Sequence, residues 1–465
     1  MDVALINPRP RGAGLNEATV EPPLGLGYMA AMLEKNGISC AIIDANACGM
    51  SEQETLESLP AGARIIGLSM NSFTFSAVQS LARAIRAGGT ALIIIGGPLP
   101  SADPGLILRE IECDGVVRGE GEYVLLNIAL RVNAGRSLFD GTIPGLVFRD
   151  ENKGVIGPAP ERIMDLDELP FPAFHLLPPL ATYRTRSRKQ PAAAIITSRG
   201  CAFDCSFCSK DIFQRKVTFR SAENVLAEIA YLVERYGIRQ IDILDDNAAQ
   251  NRERLERIMD GLIEADYGLA INMQTGIRTE LLDEPLLRKM RKAGVFKLAF
   301  GVESADELVL RMNGKTIDLA KVKETAGKAK SLGFIVYGFF IIGLPGETDE
   351  SLKKTLSFAV SAGFDLANFS MAIPFPGTEL YRMVEEKGRF LFNTQRNIDS
   401  GFYARKVFFE YGDARASDIL RRYDTAYKQF YSFTKRVSMV AGVRSLSELL
   451  WMLRAFISVK RGGVK

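Results

Sequence analysis

The chain reads as an α/β protein: an N-terminal doubly wound domain, a partial (β/α)6 barrel and a helical C-terminal region. Three observations predict this. Residues 1 to about 135 alternate strand-length apolar runs with helical stretches. Residues 191 to about 385 do so again. Three cysteines, Cys201, Cys205 and Cys208, fall in the loop after the first strand of that second series.

In the first series the strand runs are 3–7, 39–44, 64–70, 91–97 and 114–119. Helical stretches lie between them at 25–36, 52–58, 74–87, 103–112 and 121–133. Strands that are apolar throughout, alternating with helices, imply a parallel sheet covered on both faces. Ligands of such sheets bind beyond the carboxyl ends of the strands. Residues 136–190 read as a connector. It begins with a hairpin of 143–148 and 154–157 and continues into a Pro-rich, irregular run at 166–179. Arg184, Arg186, Arg188 and Lys189 are expected to be solvated. His175, the chain's single histidine, is expected to be a packed or surface connector residue.

The second series has strands at 192–198, 240–246, 269–275, 295–301, 334–342 and 366–373. Its helices fit 221–236, 250–265, 283–293, 317–332 and 348–361. Barrels carry their chemistry at the C-terminal ends of the strands, where the three cysteines fall. Residues 386–465 are expected to be mostly helical, with no repeat and no low-complexity segment.

The cysteine run is Arg199-Gly200-Cys201-Ala-Phe-Asp-Cys205-Ser-Phe207-Cys208, a CxxxCxxC spacing. Three thiolates are one short of a closed four-cysteine iron–sulfur site. A [4Fe–4S] cluster held this way keeps one iron open. That iron can chelate the amino and carboxylate groups of S-adenosylmethionine and pass it an electron, giving a 5′-deoxyadenosyl radical. A structural zinc site wants four ligands, and no fourth Cys or His lies nearby. Six cysteines in 465 residues do not make a disulfide framework. Cys40, Cys48 and Cys113 read as core or incidental thiols.

Hydrophobic content of 47% and charged content of 24% are ordinary for globular domains. A net charge of +3 gives no nucleic-acid footprint. Seven of the basic residues lie between 435 and 465 with one acid, Glu448. Within that tail the apolar stretch 437–459 is interrupted by Arg444, Glu448 and Arg454, which argues against a membrane span. A helix packed on its own domain is the expectation, with peripheral contact to an anionic membrane surface as the alternative. No secretory leader is read at Met1-Asp-Val-Ala-Leu, and unpaired thiols suit a reducing cytoplasm.

With the cysteines placed after a first barrel strand, the chain resembles the radical S-adenosylmethionine enzymes, and within them the class with an N-terminal cobalamin-binding domain. The segments that carry this are PPLGLGYMAAMLEKNG (22–37), IIIGGP (93–98), VVRGEGE (116–122), DLDELPFP (165–172), ILDDN (243–247), FGVES (300–304), FIIGLPGET (340–348) and PFPGTELY (374–381). The resemblance implies a Rossmann-like cobalamin domain followed by a TIM-like radical barrel.

It further implies Phe207 beside the adenine, Asp245 and Asp246 toward the ammonium, and Arg278 toward the carboxylate of S-adenosylmethionine. Glu303 and Ser304 would hold its ribose or methionine part. Gly338, Gly343 and Gly346 would let the backbone approach the adenine, or serve as turns. A strand-end carboxylate can also be a helix cap. Cobalamin would rest on Pro23, Leu24 and Gly25, on Ser69, Asn71 and Ser72, on Gly96, Gly97, Pro98 and Leu99, and on Glu120, Gly121 and Glu122. No histidine of that domain could ligate cobalt, and an apolar group, with Leu99 and Pro100 following the Gly-Gly-Pro turn, could face its lower side. Tyr337 and Asn368 are candidate substrate contacts.

The activity so implied is cobalamin-dependent methylation of an unactivated carbon in a small-molecule or lipid substrate. It needs an electron donor such as flavodoxin or ferredoxin. The alternatives are a non-methylating radical enzyme and a non-catalytic cobalamin or redox sensor.

Overall fold

In the computed structural model, residues 1–11, 20–150, 154–185, 187–392 and 406–432 are described. The basic tail from 435 and Arg186 lie outside them. Seven strands form the N-terminal sheet: β1 (Val3–Asn7), β2 (Cys40–Asp44), β3 (Ile65–Ser69), β4 (Leu92–Gly96), β5 (Gly115–Val117), β6 (Leu146–Asp150) and β7 (Gly154–Ile156). Their order is β2-β1-β3-β4-β5-β6-β7, and the first five are parallel.

Successive residues of a strand face opposite ways, so continuous apolar strands build two cores. Leu5, Ile94 and Val117 pack toward the helices Leu24–Lys35 and Glu122–Asn133. Ile6, Ile66 and Ile95 pack toward Phe75–Gly88 and Pro104–Glu110. A short helix, Pro98–Ala102, follows the Gly-Gly-Pro turn, where the sequence reading had only a loop.

The sheet does not end near residue 135. The hairpin β6–β7 forms as expected, but it pairs antiparallel with β5 (Val116↔Val147, Val117↔Leu146). It thereby covers the edge of a three-residue strand that would otherwise stand open. The Pro-rich run is irregular but buried. Leu169, Phe174, Leu177 and Tyr183 join the core that continues into the barrel, and the Tyr183 hydroxyl donates to Asp44 at 2.9 Å. Arg184 and Arg188 are half-buried rather than solvated, with Arg188 lying 4.5 Å from the Phe296 ring centre. His175 is exposed and pairs with Glu34 at 3.0 Å.

The barrel strands are β8 (Ala192–Ile195), β11 (Gln240–Ile243), β12 (Ala270–Ile277), β13 (Val295–Glu303), β14 (Ile335–Ile342) and β15 (Leu366–Met371). All six are parallel and stand in sequence order. The five expected helices form, with Ser221, Asn251, Asp283, Asp318 and Thr348 capping their first turns. Two further helices, Glu307–Met312 and Glu379–Lys387, were not expected. The first strand is shorter than expected. Its distal part is a separate strand, β9 (Ser198–Arg199), paired antiparallel with β10 (Thr218–Phe219). That pairing brings together the two ends of the cysteine loop.

Beyond 386, the described residues are not mostly helical. β16 (Gly388–Phe390) pairs with β17 (Phe409–Tyr411) before the helix Ala416–Phe430. Phe408 and Phe409 are buried there, which holds the ribbon on the barrel mouth. Among the described residues no helix is long and apolar enough to cross a membrane.

Candidate active site

The cysteine loop is fixed by hydrogen bonds from below. Asp245 accepts from the Thr197 amide and hydroxyl, both at 2.6 Å, and from the Ser198 hydroxyl at 2.5 Å. Asp246 accepts from the Gly200 amide at 2.9 Å. Gln250 accepts from the Ala202 amide and donates to the Gly200 carbonyl. Gly200 has φ +90°, and a Cβ there would overlap the Lys216 carbonyl oxygen. A larger residue therefore cannot precede Cys201. Asp245 is thus buried in support of the loop and caps no helix. It does not line the cavity above, so its expected contact with the ammonium is corrected.

Cys201, Cys205 and Cys208 line one cavity at the C-terminal ends of the barrel strands. Asp246, Asn247, Arg278, Glu303 and Lys315 share its wall with Phe207 and other aromatic residues. Cys208 is exposed at the cavity edge, and the protein atoms packed around its thiol push it up, with Cys205 and Cys201 adding to the shift. Burial raises Cys205 as well. Positive metal charge would favour their thiolate form. Among the described residues no three His, Cys, Asp or Glu side chains converge to hold a single metal ion. Three thiols lining a common cavity suit a multi-iron cluster with one open iron.

Polar groups surround that position. Lys315 Nζ donates to Glu303 at 3.1 Å, and Glu303 has φ +68°, a strained value for a non-glycine residue. The Arg278 guanidinium lies 3.9 Å from the Phe203 ring centre and donates to the Thr316 carbonyl. Its Nε is buried without a partner among the described residues. Both side-chain amide atoms of Asn247 are likewise buried and unpartnered. Sequence reasoning missed Asn247 and Lys315. Asn247 stood in the quoted ILDDN run, overshadowed by the two aspartates; Lys315 follows the unexpected helix Glu307–Met312, and nothing in its spacing marked it.

Other expected contacts are corrected. Ser304 is buried and its hydroxyl lies 3.2 Å from that of Thr355, away from the cavity. A Cβ on Gly338 would stand 2.8 Å from the Phe340 ring, one on Gly343 3.0 Å from Ile419, and one on Gly346 2.6 Å from Met312 Sδ. These glycines make room for protein side chains, and none lines the cavity. Tyr337 and Asn368 do not line it either. Tyr337 carries Lys297 over its ring at 5.0 Å, and Asn368 accepts from Tyr427.

A second cavity, of about 260 Å3, opens above the N-terminal sheet. Pro23, Gly25, Ser69, Gly96, Gly97, Pro98, Glu120, Gly121 and Glu122 line it as expected. Four expected residues do not. Leu24 is buried in its helix, and Leu99 packs in the core on the opposite face of the sheet. Asn71 accepts from the Phe73 amide at 2.8 Å to shape the turn, and Ser72 is buried beside it. The apolar lower face expected of Leu99 is therefore not supplied by that residue.

The cavity floor is apolar, with Leu5, Ile94 and Val117, and its rim is glycine-rich. A Cβ on Gly25 would enter open space. Gly97 has φ +124°, where a Cβ would overlap the Met70 carbonyl. Such a bare-backbone cradle fits a large, flat cofactor such as cobalamin.

Arg199, Ile212 and Phe213 of the cysteine loop close the cavity from the barrel side. Arg199 donates to Glu120 and Glu122, each at 2.7 Å, and Arg162 also pairs with Glu120. Cys40 and Cys113 are high-pKa thiols raised by burial, in keeping with core roles, while Cys48 is exposed.

Comparison with known proteins places these features. Residues 195–359 match the family model of the radical SAM superfamily, and residues 11–129 that of the B12 binding domain. An uncharacterized methyltransferase of Pyrococcus horikoshii is 32% identical over 371 residues, covering 78% of each chain. The anaerobic magnesium-protoporphyrin IX monomethyl ester cyclase of Rubrivivax gelatinosus is 29% identical over 393 residues, covering 83% of this chain and 70% of its own. The solved structure of the radical S-adenosylmethionine methyltransferase TsrM from Kitasatospora setae, with cobalamin and a [4Fe–4S] cluster bound, has the same fold. It superimposes with a TM-score of 0.72 over 99% of both chains at 15% identity.

Proposed function

The chain belongs to the radical S-adenosylmethionine superfamily, in the class that carries a B12-binding domain, and from that premise we propose that it is a cobalamin-dependent methyltransferase acting on an unactivated carbon. One observation carries the reading. Arg199 lines the N-terminal cavity, and Cys201, two residues on, lines the barrel cavity. The two proposed cofactor positions are thus lined by residues two apart in the chain, and a substrate held between them would be within reach of both.

Cys201, Cys205 and Cys208 would hold the cluster. Asp246, Asn247, Arg278 and Glu303 would bind the polar parts of S-adenosylmethionine, and Phe207 its adenine. Pro23, Gly25, Ser69, Gly96–Pro98 and Glu120–Glu122 would cradle cobalamin. When bound, the cluster supplies the electron that cleaves S-adenosylmethionine, and cobalamin carries the methyl group. The aromatic side chains of the barrel cavity exclude water from a reactive radical. The reductant would be a flavodoxin or ferredoxin, and the substrate a small molecule or a lipid.

The test is product analysis on anaerobically purified protein fed cobalamin. Equal amounts of 5′-deoxyadenosine and S-adenosylhomocysteine, with about one cob(II)alamin per chain and no nitrogen superhyperfine splitting, are expected. The 29% identity to a cyclase favours one second reading, a non-methylating radical enzyme. Deoxyadenosine formed without S-adenosylhomocysteine would establish it.

A further inference from the structure

Cys205 and Cys208 line a second opening as well as the barrel cavity. On the outer side of the cysteine loop is a polar cleft of about 820 Å3. Five cationic side chains stand around it: Arg118, Lys210, Arg215, Arg311 and Arg382. They face three carboxylates, Asp204, Asp211 and Glu379. Lys210 and Arg215 pair with Asp204, and Arg382 pairs with Glu379. Arg215, Arg311 and Arg382 are exposed, and Arg118 Nε is buried without a partner among the described residues. The positive excess therefore surrounds a cleft that reaches two of the cluster cysteines, Cys205 and Cys208.

We propose that this cleft is the docking face for a small acidic one-electron carrier protein. The proposal rests on the cluster reading above. In the step it serves, one electron leaves the carrier, which is oxidised by one. The cluster held by the three cysteines gains it, and no bond forms or breaks. Charge complementarity favours such a partner, because opposite patches steer encounter and orient short-lived complexes. Electron-transfer encounters are small and weak, so a compact charged cleft suffices. The inner cavity would be filled by S-adenosylmethionine, so a protein donor must approach from elsewhere. This cleft offers that approach without displacing the substrate.

The test is the double variant Arg311→Glu/Arg382→Glu, with Arg311→Gln/Arg382→Gln as a milder pair and Arg83→Glu as a control on a distant face. Neither arginine belongs to the cysteine loop or the cofactor cavities. Deoxyadenosine formation is measured on reconstituted full-length protein with dithionite and, separately, with reduced flavodoxin. Binding of oxidised flavodoxin is measured by titration calorimetry.

With flavodoxin, the wild-type rate should fall as salt rises from about 50 to about 300 mM. The Glu pair should lose at least about tenfold in flavodoxin-driven rate and in affinity. The Gln pair should lose less, and dithionite-driven rates should not change. Wild-type flavodoxin affinity and rate in the Glu pair would overturn the proposal. So would unchanged flavodoxin affinity with lost binding of pyrophosphate, which would assign the cleft to a phosphate-bearing small molecule. If dithionite gives no deoxyadenosine from wild type, the radical reading fails instead, and the binding titration alone then decides the docking face.

Discussion

Glu120 Oε1 accepts a hydrogen bond from Arg199 Nη1 at 2.7 Å, and both side chains are buried. The pair joins the Gly-Glu-Gly-Glu turn of the N-terminal domain to the strand that leads into the cysteines. Its neighbours complete it. Arg199 Nη2 donates to Glu122 at 2.7 Å, and its guanidinium lies 5.1 Å from the Tyr28 ring centre. The second oxygen of Glu120 accepts from Arg162 and from the Ile163 amide. Two carboxylates thus balance two guanidiniums in a site shielded from water. The cradle proposed for cobalamin and the loop proposed for the cluster share this one support.

Removing one partner from a buried ion-pair network leaves an uncompensated charge. Glu120→Ala should therefore destabilise the protein by about 3–5 kcal/mol, because it strands Arg162 and part of Arg199. Glu120→Gln keeps the acceptor and should lose less. Urea unfolding measures both. An Ala variant that unfolds at the wild-type midpoint would remove the network's role.

The three cysteines are expected to act as a set. The triple replacement Cys201→Ala/Cys205→Ala/Cys208→Ala should abolish cluster absorption and its electron-spin signal, while the fold persists. A full [4Fe–4S] signal in that variant would contradict the ligand assignment.

The architecture was legible because its signals are local. Continuous apolar runs such as Ile93-Ile94-Ile95 need burial on both faces, and only a covered parallel sheet supplies it. The cysteine spacing was legible because the chemistry demands it. Side-chain direction was not. Asp245 and Asp246 are adjacent in sequence, yet one is consumed by Thr197 and Ser198 while the other reaches the cavity wall. Leu99 and Pro98 likewise part company, because the unforeseen helix turns Leu99 into the core. Gly338 and Gly343 looked like ligand-approach positions, but their missing side chains accommodate Phe340 and Ile419, partners that only the tertiary fold brings near. Residue type announced polar or small positions; the fold decided whether a ligand or the protein uses them.

Asn247 and Arg278 separate binding from support. Unpaired buried polar atoms are rare in native proteins and point to an unfilled partner. If S-adenosylmethionine is that partner, Asn247→Leu should raise its KM about tenfold or more, since a lost hydrogen bond to a charged group is worth about 1.5–3 kcal/mol. Stability should hold or rise, because no bond within the protein is lost. Arg278→Lys should also raise KM while preserving cluster content, because lysine keeps the charge without the planar fork. An Asn247→Leu variant with unchanged KM would assign the amide to some other role.

The last expectation concerns pH. Glu347, in the loop after β14, is buried and accepts from the Gly343 amide at 3.0 Å. Burial pushes its carboxyl up to about 7, against the downward pull of the Gly343 hydrogen bond and Arg422. Arg422 lies 3.7 Å away and is engaged more closely by Asp349 at 2.7 Å, so the compensation is incomplete. The unfolded chain ionises this residue near its ordinary value of 4.5. Between about 4.5 and about 7 the native state therefore holds the extra proton, and stability must fall as pH rises. Below that window both states are protonated and the contribution is complete; above it both are ionised and the loss levels off. The gap corresponds to a loss on the order of 3 kcal/mol. Glu347→Gln keeps an acceptor for the Gly343 amide and cannot ionise, so its melting temperature should drop less than the wild type's between pH 5 and pH 8. Parallel melting curves for the two proteins across that range would show that Glu347 titrates normally in the fold.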